Sequence, residues 1–161
     1  MKLKQFFFYA FIVIVFLIGY ALITEEPKTI TDILADVDIE NKEITYSDCK
    51  LKYSNSEVKI NDYGEESLYV YFEFTNNSDE SKAFYYNFDV VAFQNGVEAV
   101  ENYFYDCEEE RNTEKEIQPG TTIVVAEVFE LKNVVDPVTI EIRPFISVDN
   151  EKIIDFEINL Q

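Results

Sequence analysis

Leu68-Tyr69-Val70-Tyr71-Phe72-Glu73-Phe74-Thr75 decides the fold class. Successive side chains of an extended strand point to opposite sides, so Leu68, Val70, Phe72 and Phe74 share one face and Tyr69, Tyr71 and Glu73 the other. The same period returns downstream. Ile154, Phe156, Ile158 and Leu160 alternate with Asp155, Glu157 and Asn159, and Val138, Ile140 and Ile142 alternate with Thr139, Glu141 and Arg143 until Pro144 interrupts the ladder. Residues 83–93 and 121–131 are apolar on both faces and rich in Val and Phe, which predicts central strands. Earlier strands are predicted over 43–53 and 57–60.

Turn chemistry separates these runs. Asn76-Asn77-Ser78-Asp79 follows Thr75, Asn95-Gly96 suits a type I′ hairpin, and Pro119-Gly120 precedes Thr121. The pattern yields seven to eight short strands and no sustained helical period between them. Without helical crossovers a parallel sheet has no way to close, so the expected fold class is all-β, an antiparallel two-sheet sandwich.

Outward from this domain, residues 6–23 carry no charged side chain and are dominated by Phe, Ile, Val and Leu. As a helix they would span about 27 Å, close to the hydrocarbon thickness of a bilayer. Lys2 and Lys4 precede the run and Glu25 and Glu26 follow it, an asymmetry that keeps the N-terminus inside and exports the remainder. The run is long for a secretory signal, which favours a retained single-pass anchor, although Gly19 and Ala21 form a small-x-small cleavage site for a secreted alternative. Three parts are therefore expected: an anchor or signal at 1–23, a polar linker at 24–42 and one β-sandwich domain at 43–161. The expected partners are the lipid bilayer, through residues 6–23, and a protein or cell-wall ligand outside.

Charge excludes several function classes. The chain has 13 basic and 32 acidic residues and a net charge of −19. Phosphate neutralisation needs a basic surface, so no nucleic-acid partner is expected. With no His, both Ser-His-Asp and Cys-His nucleophilic machinery are absent. The four Gly residues, Gly19, Gly64, Gly96 and Gly120, are too scattered for a phosphate-cradling loop. No cofactor is implied and no enzyme is expected. Carboxylates are plentiful, but no spacing singles out an acid–base pair, so a hydrolase built on one stands as the alternative.

Two blocks carry a resemblance. The first runs from Leu68–Thr75 through Asn76-Asn77-Ser78-Asp79 to Phe88-Asp89-Val90 and Phe93-Gln94-Asn95-Gly96-Val97. The second is Pro119-Gly120-Thr121 with Val128-Phe129-Glu130-Leu131 and Pro137-Val138-Thr139-Ile140-Glu141. Together they resemble the exported immunoglobulin-like domains of unknown function of Gram-positive bacteria, grouped with immunoprotective extracellular-antigen-like sandwiches. The resemblance implies an immunoglobulin-like β-sandwich and an extracellular place, and it supplies no catalytic residue. Many such proteins carry a lipid-anchoring Cys behind the signal; here the first Cys is Cys49.

Three sets of residues are candidates for a site. Cys49 and Cys107 are the only thiols; an exported location permits a bridge between them, and two free thiols are the other reading. Asp106, Glu108, Glu109 and Glu110 form a carboxylate run of the kind that can hold Ca²⁺, or else a solvated loop partly neutralised by Arg111 and Lys115. Tyr69, Tyr71, Tyr85, Tyr86, Tyr103 and Tyr105 fall on or near strands, where a solvent-facing row would make a binding surface.

Overall fold

The computed structural model describes residues 35–61, 64–101, 107–146 and 151–160. The apolar run at 6–23 and most of the polar linker lie outside them, as do Tyr103, Tyr105 and Asp106. Strands β1 (Ala35–Asp38), β2 (Glu43–Tyr46), β3 (Cys49–Ile60), β4 (Glu66–Asn76) and β7 (Thr122–Glu130) form a five-stranded sheet in that order. A second sheet has the order β6 (Val97–Glu98), β5 (Phe88–Gln94), β8 (Val138–Pro144) and β9 (Ile154–Ile158). Every pairing is antiparallel.

The alternation in Leu68–Phe74 does what the sequence predicts. Leu68, Val70, Phe72 and Phe74 are fully buried and join Val90, Ala92, Val138 and Ile140 of the other sheet in one apolar cluster, the two-layer arrangement of a β-sandwich. Phe74, Phe84 and Phe88 lock it, with ring centroids 5.9–6.3 Å apart. Each such side chain contributes roughly 1.5–3 kcal/mol by leaving water.

Several boundaries differ from the sequence reading. Residues 43–53 are not one strand: Ser47 and Asp48 turn the chain with φ of 51° and 60°, making a two-residue hairpin without the usual Gly. β1 lies inside the stretch read as linker, so the sheet begins before residue 43. Its Asp36 and Asp38 face solvent on an outermost strand, where charge discourages edge-to-edge pairing. The 83–93 run is broken by a 3-10 turn at Phe84–Tyr86. Strand β7 stands at the end of its sheet rather than at the centre. A short helix, α1 (Glu108–Arg111), and a 3-10 turn (Asn112–Glu114) lie against β7, with Asn112 Nδ2 donating to the Val124 carbonyl at 2.8 Å. The Asn95-Gly96 hairpin forms as read, both residues at positive φ.

Two buried amides hold loops to this frame. Gln94, 1% exposed, donates from Nε2 to the carbonyls of Asn133 (2.8 Å) and Asp136 (3.0 Å), and its Oε1 accepts from the backbone N–H of Lys132 and Asn133. Asn76, fully buried, donates to the carbonyls of Glu80 and Ile117 and accepts from the backbone and hydroxyl of Ser78. Each amide substitutes for a local backbone ladder where none runs.

Candidate functional site

The sandwich is open where β7 ends one sheet and β6 the other. Residues 99–101 cross this edge: the Ala99 N–H donates to the Ala92 carbonyl at 2.8 Å, the Glu130 N–H to the Val100 carbonyl at 2.9 Å, and Glu101 bridges Phe129. Beside the crossing lies a cavity of about 500 Å³, lined by Asp89, Glu98, Glu101, Phe129 and Arg143 among others. A smaller one of about 90 Å³ shares Asp89, Val90 and Glu101 with it and adds Glu127, Tyr85 and Phe145.

Strand parity explains the carboxyl in the smaller cavity. In β7, Ile123, Val125 and Phe129 pack in the core between the sheets, whereas Ala126 and Val128 belong to a second cluster on the outer face. Glu127 shares the register of the inward set, so its carboxyl enters the inter-sheet space at the open edge. Burial raises its pKa well above the carboxylate range, and a hydrogen bond to Glu101 and the charges of Glu101, Glu110 and Asp89 push it further. A carboxyl–carboxyl hydrogen bond needs a proton on one partner, and Glu127 is the one that holds it. Asp89 is also raised by burial, opposed by Arg143 across the strand pair. Arg143 directs Nη2 to Glu141 at 2.6 Å, while its Nε is buried and makes no hydrogen bond.

An aromatic surface flanks the smaller cavity. Tyr85, Tyr86 and Phe145 are 42%, 65% and 42% exposed, and their ring centroids lie 5.3–6.0 Å apart. The next residue, Ile146, is 82% exposed. Tyr85 and Tyr86 arrive there because the 3-10 turn buries Phe84 and turns its neighbours outward.

The sequence-predicted candidates fare unequally. Tyr85 and Tyr86 alone of the described tyrosines in that set are exposed. Tyr69 and Tyr71 are buried on the outer face of the five-stranded sheet, in a cluster that Cys107 packs against, so they offer no free surface. Tyr71 Oη donates to Glu57 at 2.8 Å and accepts from Lys59 at 3.0 Å, and the Lys59 ammonium stands 4.9 Å over the Tyr69 ring. Glu57 and the Tyr71 hydroxyl together raise the Lys59 pKa.

Cys49 and Cys107 are both free thiols. Cys49 sits in the cluster between the sheets and Cys107 against the cluster on the opposite face of β4 and β7, a placement that gives a bridge no route. Burial pushes both thiols up, which keeps them protonated and unreactive. Glu108, Glu109 and Glu110 occupy one turn of α1, where consecutive side chains fan apart by about 100°. Glu110 is buried and Glu108 reaches Lys115 at 3.9 Å. Among the described residues no group of three or more acidic or thiol side chains is arranged to hold a metal ion.

Sequence reasoning missed Glu127 and Phe145 as site residues. The usable signal for Glu127 was a lone acid in the i, i+2 register of Val125 and Phe129. Nothing local marks Phe145, which meets Tyr85 only through the pairing of β5 with β8.

A family model, "Domain of unknown function (DUF5067)", matches residues 27–144. No curated protein matches the sequence. Among solved structures the chain is similar to a protein from Enterococcus faecalis, at 22% identity and a TM-score of 0.60, over 83% of this chain and 99% of that one. It is also similar to a candidate lipoprotein from Staphylococcus aureus, at 12% identity and a TM-score of 0.62, over 78% of this chain and 93% of the other. A candidate lipoprotein from Bacillus subtilis matches at 12% identity and a TM-score of 0.54, over 77% of this chain and 39% of that chain. At these identities the likeness is one of fold.

Proposed function

The chain belongs to the DUF5067 family, and on that premise we propose that it is an extracytoplasmic binding module without catalysis, held at the membrane by residues 6–23 or secreted after their cleavage. The observation that carries the reading is the exposed trio of Tyr85, Tyr86 and Phe145 beside an open cavity: contiguous exposed rings rimmed by polar groups mark recognition surfaces. Two antiparallel sheets over one core support the immunoglobulin-like assignment and the kinship with antigen-like sandwiches. The candidate lipoproteins of similar fold support an envelope location. Cys49 is buried at the start of β3 and offers no lipid-attachment point, which leaves residues 6–23 as the segment that anchors the chain or is cleaved from it. Among the described residues no helix is long and apolar enough to cross a membrane.

Location has a direct test. Protease added to intact Gram-positive cells expressing the full chain should digest the domain; protection of residues 43–161 would refute export. Binding is tested by nuclear magnetic resonance on the full chain in non-ionic detergent, presented with basic peptides and with wall-type oligosaccharides. Perturbation centred on Tyr85, Tyr86 and Phe145 supports the module, and silence there toward both classes rejects it.

A second reading rests on the hydrogen-bonded Glu101–Glu127 pair. Two carboxyls sharing one proton are the working pair of acid-dyad hydrolases, but direct contact places them closer than the roughly 5–9.5 Å that glycoside hydrolysis uses. Turnover in a peptide, ester and glycan panel, abolished by Glu127→Gln, would favour it over the binding module.

A further inference from the structure

The cavities and the exposed rings form a continuous surface whose chemistry has one sign. Aromatic faces present negative quadrupole potential, and the floor beside them is lined by Asp89, Glu98 and Glu101. The one cation lining either cavity among the described residues, Arg143, already directs Nη2 to Glu141 at 2.6 Å. The chain around them carries 32 acidic residues against 13 basic. An anionic occupant would meet net repulsion, with Arg143 the one opposing charge among the described lining residues. A neutral one would use the rings and leave the field of the carboxylates unanswered.

We infer that the surface of Tyr85, Tyr86 and Phe145 docks a lysine- or arginine-bearing segment of a basic protein partner, its cation lying over the rings and its charge facing Asp89 and Glu101. The inference rests on the binding-module reading and names the ligand class of that same surface. The three rings pack against one another, tilted or edge-on with centroids 5.3–6.0 Å apart, and so present one contiguous aromatic surface on which an ammonium or guanidinium group rests while its alkyl stem lies along the same surface. Longer-range attraction from the acidic surface would steer such a segment inward and weaken with salt.

The test uses the full chain in non-ionic detergent at about 0.15 M salt, where long-range attraction is largely screened, with a tetralysine peptide as the probe. Titration calorimetry should show tetralysine binding that weakens at least about tenfold, one decade of affinity, in Tyr85→Leu/Phe145→Leu. That variant keeps apolar area and removes the π faces. Asp89→Asn/Glu101→Gln should weaken it comparably, while Glu108→Gln, an exposed acid on α1, should leave it within about twofold. Unchanged melting curves show that the variants fold. Equal affinity in all variants would overturn the inference, because net charge alone would then explain the binding. No response to tetralysine together with resonance shifts at Tyr85 and Phe145 on adding a neutral N-acetylglucosamine oligomer would also overturn it, yet leave the binding module standing. Silence at those residues toward both probes would remove the module reading as well.

Discussion

The same two strands build opposite environments. Between the sheets, β5 and β7 contribute Phe88, Val90, Ala92, Val125 and Phe129 to a closed apolar cluster. At the open edge they contribute Asp89 and Glu127 to cavities shared with Glu101. Asp89 sits on the face of β5 opposite Phe88, Val90 and Ala92, whereas Glu127 keeps the core register of β7 and differs from Val125 and Phe129 in lying where no second sheet covers it. A polar residue in core register is tolerated only where the sandwich fails to close, and there its carboxyl must share a proton rather than ionise freely. Position relative to the sheet edge, more than residue type, thus separates structure from candidate function in this fold.

The largest expected effect breaks the closed side. Phe129→Ala removes a side chain only 1% exposed at the seam between core and edge, and should cost about 3–5 kcal/mol through lost burial and the cavity left behind. Tyr86→Ala, 65% exposed on the open side, should stay within about 0.5 kcal/mol. Denaturant unfolding of both variants measures the contrast; similar losses would mean that the aromatic patch is part of the core.

Next in size is Gln94→Ala. Its amide satisfies the carbonyls of Asn133 and Asp136 and two backbone N–H groups. Stranding these groups should cost about 2–3 kcal/mol. Hydrogen exchange should accelerate first over residues 131–137, because the loop loses its tether before the strands do. Uniform acceleration across both sheets would show that the amide supports the core rather than the loop.

How much of this was legible depended on the range of the interaction. The alternation at Leu68–Phe74 and at Ile154–Ile158 is a local property of the chain, and both segments form strands with the predicted inward residues. Asn95-Gly96 is equally local, since positive φ at both residues suits that pair. The turn at Ser47-Asp48 was missed because it carries no Gly; Asp48 tolerates the left-handed conformation, but Ser47 does so only because the register of the surrounding hairpin imposes it. Asn76 reads as a turn residue and Gln94 merely precedes the Asn95-Gly96 turn, yet their partners at Ile117 and Asp136 are some 40 positions away. The acidic site was invisible for the same reason. Asp89, Glu101 and Glu127 meet only after two sheets have docked, whereas the consecutive run at Glu108–Glu110, conspicuous in sequence, is splayed by a helical turn.

Smaller still is the effect of Glu127→Gln, and it should be stabilising. The pKa of Glu127 is raised in the folded protein above its ordinary value of 4.5. Between those two values the folded state binds more protons than the unfolded state, so stability falls as pH climbs through that window and stays lowered above it. Gln cannot ionise and can still donate to Glu101. Below the ordinary value the variant and the parent should melt together. Above it the variant should gain, reaching about 1 kcal/mol, or roughly 4 °C, at neutral pH. Thermal melts across that range measure the gap, and a gap that narrowed as pH rose would reverse the assignment of the shared proton.

The smallest effect compares how salt acts on the two kinds of carboxylate. Beyond Thr24 the chain carries 11 basic and 32 acidic residues, and their mutual repulsion opposes the compact state. Raising NaCl shortens the range of that repulsion from about 30 Å at 0.01 M to about 10 Å at 0.1 M. Exposed acids such as Glu108 and Asp155 feel this change fully, and the parent should gain roughly 0.5 kcal/mol, the scale of exposed charge interactions. Toward the acid end of the window opened by its raised pKa, Glu127 favours its neutral form and has little charge to screen. Glu127→Gln should therefore gain as much from salt as the parent does, although the two differ in absolute stability. A distinctly smaller gain in the variant would mean that Glu127 is ionised and repelling its neighbours, so that the open edge behaves as ordinary surface and the contrast with the closed side is one of packing alone.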